Sequence, residues 1–183
     1  MRLFAGIDLP SPVIAELEEL VRRLRTTARI KWSPPANLHI TTRFIGEWPE
    51  ERLAELKGTL AGLPAHPPIE IHVRKLGFFP NPHAPRVFWA GVEASKDLAE
   101  LAAGTDRALV PLGLEPEGRP FSPHLTLARI KERVPMQELT ETIAALPSLE
   151  FGTFVAERFY LYQSRIASSG SVYTKLAEFT LTK

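Results

Sequence analysis

A histidine and a threonine two residues apart recur in both halves of this chain, each time inside an apolar run of strand character. NLHITTRFIGE spans residues 37–47 and SPHLTLARIKE spans residues 122–132. Side chains alternate across a strand, so residues i and i+2 share a face. By that parity His39, Thr41 and Arg43 point one way, and Ile40, Thr42 and Phe44 the other. In the second copy His124, Thr126 and Ala128 share a face, with Leu125, Leu127 and Arg129 behind them. Aligning the histidines also aligns Ile40 with Leu125, Thr41 with Thr126, Phe44 with Ala128 or Arg129, and Glu47 with Glu132. This weak internal repeat implies two similar lobes related by a pseudo-twofold axis. Each would be a mostly antiparallel sheet with flanking helices, and the motif strands would lie near the axis.

The rest of the chain supplies the elements for two such lobes. Residues 2–8 alternate as a strand. Ser11 followed by Pro12 reads as a capped helix start, and Ile14, Leu17, Val21 and Leu24 continue at helical spacing. Further helices are expected over about 50–60, 96–110 and 135–146. Strands are expected over 38–45, 69–79, 86–93, 124–130, 151–162 and 172–181. The proline-rich FPNPHAP is a loop, and Ser168 to Gly170 supply a turn between the last two strands.

Composition narrows the chemistry. At 183 residues the chain is long enough for one domain, or for two small lobes sharing one core. The net charge is only +1, so an anionic ligand must be gripped by a local arrangement rather than by an overall positive field. No cysteine is present, which excludes disulfides, thiolate metal sites and a cysteine nucleophile and fits a reducing compartment. The first residues do not read as a signal peptide, and no apolar run approaches the ~20 residues of a membrane span. The expectation is a cytoplasmic monomer with no membrane partner.

If both polar faces line one cleft, it holds two imidazoles and two hydroxyls in near mirror arrangement. Imidazole titrates closest to neutrality, so one neutral and one protonated histidine are a general base and a general acid at the same pH. Threonine hydroxyls can donate to phosphate oxygens, and an arginine can balance the charge that builds on a five-coordinate phosphorus. Those are the parts for metal-free attack at a phosphodiester. One His-x-Thr strand is ordinarily structural; two copies, each followed by an arginine and an acid, bring the catalytic reading level with the structural one. A metal centre would need a third ligand. His66 and His83 lie among prolines and His72 sits on a strand surface, so neither metal nor cofactor is expected. Motifs for nucleoside triphosphates, dinucleotides and serine hydrolases are missing.

The paired tetrads HITT and HLTL closely resemble those of the two-histidine (2H) phosphoesterases, the LigT-like group. The nearest subgroup is the RNA 2',3'-cyclic phosphodiesterases, first described as 2'-5' RNA ligases. RLFAGIDLP, GFFPNPHAPRVFWAGV and LYQSRIASSGSVYTKLAEFTL extend the likeness over nearly the whole chain. Thr42 stands where the family usually has a hydrophobic residue. The resemblance implies an α+β fold, bilobal, with a central cleft, and residues 1–183 as a single domain of two intertwined lobes. It implies hydrolysis of a terminal 2',3'-cyclic phosphate on RNA to a 2'-phosphomonoester, without metal. His39 would be the proton donor to the departing 3' oxygen and His124 the proton acceptor that activates water. Thr41 and Thr126 would hold phosphate oxygens. Arg43 and Arg129 fall where the family often has substrate-binding arginine. Parity gives Arg43 to the cleft but Arg129 to the back, unless the strand bulges near Ala128. Phe121 and Tyr173 are candidates to stack on a base, with core packing the expected role of both. The alternatives are 2'-5' ligation, cleavage of 2'-5' linked oligonucleotides, 3' trimming that leaves a cyclic end, and an RNA- or nucleotide-binding module without catalysis.

Overall fold

A computed structural model describes residues 1–168 and 170–182. In chain order the elements are β1 (Arg2–Ile7), α1 (Ser11–Leu24), β2 (Lys31–Trp32), β3 (Ile40–Glu47), α2 (Leu53–Ala61), β4 (Ile69–Phe79) and β5 (Val87–Ala94). They continue with α3 (Lys96–Leu109), β6 (His124–Arg129), α4 (Gln137–Ala144), β7 (Glu150–Ala156), β8 (Arg158–Ala167) and β9 (Gly170–Thr180). Two antiparallel sheets result, the α+β bilobal arrangement expected. One has the order β3-β1-β8-β9 and the other β2-β6-β5-β4-β7. Each motif strand thus sits in a different sheet.

The helices are exchanged between the halves. α1, which follows β1, packs on β7 and α4 of the five-stranded sheet, whereas α3, which follows β5, packs on β3 and α2 of the four-stranded one. Val13, Leu17, Leu20, Val21 and Leu24 form the buried face of α1. The helix lies so close to β7 that a side chain on Gly152 would put its Cβ 2.9 Å from Val13 Cγ2, at a φ of +141° that L residues rarely adopt. One apolar cluster runs through both halves, with Ile40, Leu56, Ile71, Phe88, Leu101 and Leu125 wholly buried. Among the described residues no helix is long and apolar enough to cross a membrane.

Three expectations change. Residues 151–162 are not one strand: the chain leaves the five-stranded sheet after Ala156 and enters the four-stranded sheet at Arg158. Only Glu157 separates the two strands, and its carbonyl accepts from the Leu181 amide. Ser11 does not cap α1. Pro10 is the cap residue, and its carbonyl accepts from Val13 and Ile14 with no side-chain bond. The two-residue β2 was not anticipated, being too short to show a period. The expected turn at 168–170 falls partly outside the described residues.

Candidate active site

Both motif strands break their alternation at the same place. β1 pairs Gly6 with Thr41 and Ala5 with Arg43, so Thr42 is an extra residue; a second shift near Ile45 leaves Phe4 opposite Phe44. β5 pairs Trp89 with Thr126 and Phe88 with Ala128, so Leu127 is an extra residue there. Each bulge reverses the faces that follow it. Arg43 becomes buried at 9% exposure beside Ala5, while Phe44 turns out at 59%. Ala128 becomes buried, while Arg129 emerges on the face of His124 and Thr126. The pseudo-twofold therefore matches Phe44 with Arg129 and Arg43 with Ala128.

This corrects the expectation for Arg43. The residue does not face the cleft. Its buried guanidinium is the hub of a part-buried network behind β3, donating to the Glu115 carbonyl at 2.6 Å and to the Phe44 carbonyl at 2.8 Å. Nε lies 2.8 Å from Asp106 Oδ1 of α3, an ion pair whose N–H is not aligned for a hydrogen bond. Nη1 lies 3.4 Å from Glu117 Oε2. Asp106 in turn accepts the Glu117 amide at 3.1 Å. Residues 113–123, which this network grips, carry the chain from α3 to His124.

The two imidazoles are held alike. His39, just before β3, has Nδ1 2.7 Å from the carbonyl of Asn37. His124, at the start of β6, has Nδ1 2.8 Å from the carbonyl of Ser122. In each case the carbonyl two residues back accepts from Nδ1–H and so selects the tautomer whose Nε2 carries the lone pair. Thr41 Oγ1 lies 2.9 Å from His39 Nε2 and donates to it. The two motif strands meet, β3 of one sheet touching β6 of the other, and the charge of His124 bears on His39 and that of Arg129 on both.

Aromatic side chains form the walls. His39 stacks on Phe4, with centroids 4.5 Å apart, and meets the edge of Tyr173 at 5.1 Å. Phe4 stacks in turn on Tyr162 at 4.9 Å. His124 meets Phe79 edge to face at 5.0 Å, and Phe79 leans on Trp89. Trp89 lies over Gly77, where an added Cβ would fall 2.2 Å from the indole. Of the two aromatics singled out in the sequence, Tyr173 reaches His39, while Phe121 packs against the core. Phe4, Phe79, Trp89 and Tyr162 were missed. Phe4, Phe79 and Tyr162 each lie on a strand remote in sequence from the histidine they meet, and Trp89 reaches the site through Phe79. A cavity beside His39 of about 440 Å³ is lined by Asp8, Asn37, Tyr162, Tyr173 and Lys175. His72 is remote, on β4, between Glu70 and Thr153.

Burial pulls both histidines below the ordinary imidazole range. For His39 the charges of His124 and Arg129 pull the same way, against the Asn37 carbonyl and Asp8. For His124 Arg129 does so against the Ser122 carbonyl. A lowered pKa means the proton is lost at lower pH, so the state with one imidazole charged and one neutral is populated on the acid side of about 6.5. A bell-shaped profile of kcat/KM, which reports the free protein, is expected to peak there. Arg129→Met removes a positive charge from both rings and should move both limbs to higher pH; an unmoved profile would disprove this electrostatic link.

Comparison with known proteins agrees with this geometry. The family described as LigT like Phosphoesterase matches residues 7–89 and 91–173, with one histidine motif in each stretch. The RNA 2',3'-cyclic phosphodiesterase of Thermus thermophilus is 38% identical over 190 aligned positions, covering 99% of this chain and 90% of that one. The enzyme of the same name from Archaeoglobus fulgidus is 33% identical, covering 98% and 99%. Among solved structures, a protein of Thermus thermophilus superposes with a TM-score of 0.80 at 36% identity, covering 99% of this chain and 98% of that one. Escherichia coli LigT complexed with NADP+ superposes at 0.77 and 27% identity, covering 100% and 98%. Two bulged His-x-Thr strands, one per sheet, and a family match that repeats with the same division make this chain a member of the LigT-like phosphoesterase family.

Proposed function

We propose that this protein is an RNA 2',3'-cyclic phosphodiesterase acting in the cytoplasm as a monomer, opening a terminal cyclic phosphate to a 2'-phosphomonoester. The observation that carries the reading is the matched pair of imidazoles, each anchored through Nδ1 to the carbonyl two residues back. Water attacks phosphorus, and His124 Nε2 takes its proton as general base. The bond from phosphorus to the 3' oxygen breaks, and protonated His39 gives its Nε2 proton to that oxygen. One water is consumed, and the 2' oxygen keeps the phosphate. Thr41 and Thr126 donate to the non-bridging oxygens, for which the Thr41 hydroxyl turns from His39 to phosphate. Arg129 balances the charge that grows on the phosphorus oxygens, in a cleft whose aromatic walls exclude water and strengthen that attraction. Arg43 has no part in this step, being committed behind the strand.

The test is incubation with 2',3'-cyclic AMP in EDTA. The expected result is 2'-AMP formed at an undiminished rate. No turnover, turnover abolished by the chelator, or a 3'-monophosphate product would each contradict the mechanism.

A further inference from the structure

The bulge that brings Arg129 forward also places it beside a second cation. Lys31 of β2 pairs directly with Arg129 of β6, and Trp32 with Ala128. Trp32 packs edge-on against buried Phe88 at 5.9 Å, so that pair faces the core. Lys31 and Arg129 therefore share the opposite face, the one carrying His124 and Thr126. Directly opposed side chains on an antiparallel pair have Cβ atoms about 5 Å apart, and like charges in that relation are destabilising. Both residues are exposed. Several other strand-borne cations hold carboxylates, Arg43, Arg74, Lys75, Arg158 and Lys175 among them, while among the described residues Arg2 and Arg165 do not. Among the described residues neither Lys31 nor Arg129 has an acidic partner. This like-charged pair, with Arg129 at the far end of the strand that His124 begins and Lys31 one strand further out, has no counterion among the described residues and suits an anion.

We infer that Lys31 binds the phosphodiester on the 5' side of the terminal nucleotide, so that the protein selects polynucleotide ends over cyclic mononucleotides. The inference rests on the phosphodiesterase reading. With the cyclic phosphate at the histidines and Arg129 beside it, Lys31 is the next positive group out along the sheet, at a strand spacing of about 4.8 Å. A nucleoside 2',3'-cyclic phosphate has nothing to offer that lysine, whereas every internal RNA linkage does.

The experiment compares adenosine 2',3'-cyclic phosphate with the same compound carrying a 5'-phosphate. The wild-type protein is expected to favour the 5'-phosphorylated substrate by about tenfold in kcat/KM, chiefly through KM. Lys31→Ala should erase that preference, and Lys31→Arg should retain it. On a short single-stranded RNA ending in cyclic phosphate, Lys31→Ala should also flatten the dependence of log(kcat/KM) on log[salt] by about 0.7. A wild-type protein indifferent to the 5'-phosphate, or a preference that survives Lys31→Ala, overturns this inference and leaves the phosphodiesterase reading standing. A wild-type protein inert toward both compounds and toward the RNA removes that reading, and this one with it.

Discussion

His124→Ala is expected to cut turnover of a 2',3'-cyclic phosphate by about 10²–10⁴, the range a positioned proton-transfer group supplies, while the protein still folds. The imidazole is only half-buried at the strand start; among the described residues it hydrogen-bonds to the Ser122 carbonyl and meets Phe79 edge to face. Its removal therefore frees little packing. His39→Ala should cost as much activity but also some stability, because that ring is stacked between Phe4 and the edge of Tyr173. His39→Gln keeps part of that contact and serves as the cleaner variant. Turnover of cyclic AMP alongside thermal unfolding separates the two effects. If either alanine variant keeps more than about a tenth of the wild-type kcat with its fold intact, that histidine is not the acid or base.

Arg43→Met should be the most destabilising single change on the motif strands, by about 3–5 kcal/mol, the usual cost of leaving one member of a buried ion pair uncompensated. The substitution strands Asp106, which is 20% exposed, and leaves the Glu115 carbonyl without its donor. Total stability for such a protein is about 5–15 kcal/mol, so a marked fall in denaturant midpoint is expected. Where the variant remains folded, kcat should fall more than KM rises, since the network holds the segment that delivers His124 and touches no substrate. Arg43→Lys supplies one charge but not the fork that reaches Asp106, Glu115 and Phe44 together, and should recover little. An Arg43→Met protein as stable as the wild type would remove the hub from the account. A variant of normal stability that fails only in substrate binding would return Arg43 to the cleft.

The helices and most strands were legible because apolar spacing along a chain reports which side is buried. Two kinds of feature were not. The division of residues 151–162 between two sheets leaves no local trace, because both pieces are extended and half-apolar. The aromatic walls of the site come from β1, β4, β5, β8 and β9, and no short window holds both His39 and Phe4, or His124 and Phe79.

The amino-acid order alone determined the pair of histidines, the repeat that makes them equivalent, and the two-sheet architecture, since a period-two pattern and a repeated motif are written along the chain. The fate of the arginines belonged to the tertiary structure. A strand that takes one extra residue opposite its neighbour exchanges its faces from that point on, and the extra residue is defined only by the partner strand. So Arg43 went behind the sheet to Asp106, Arg129 came forward to the histidines, and Lys31 met it across the ladder.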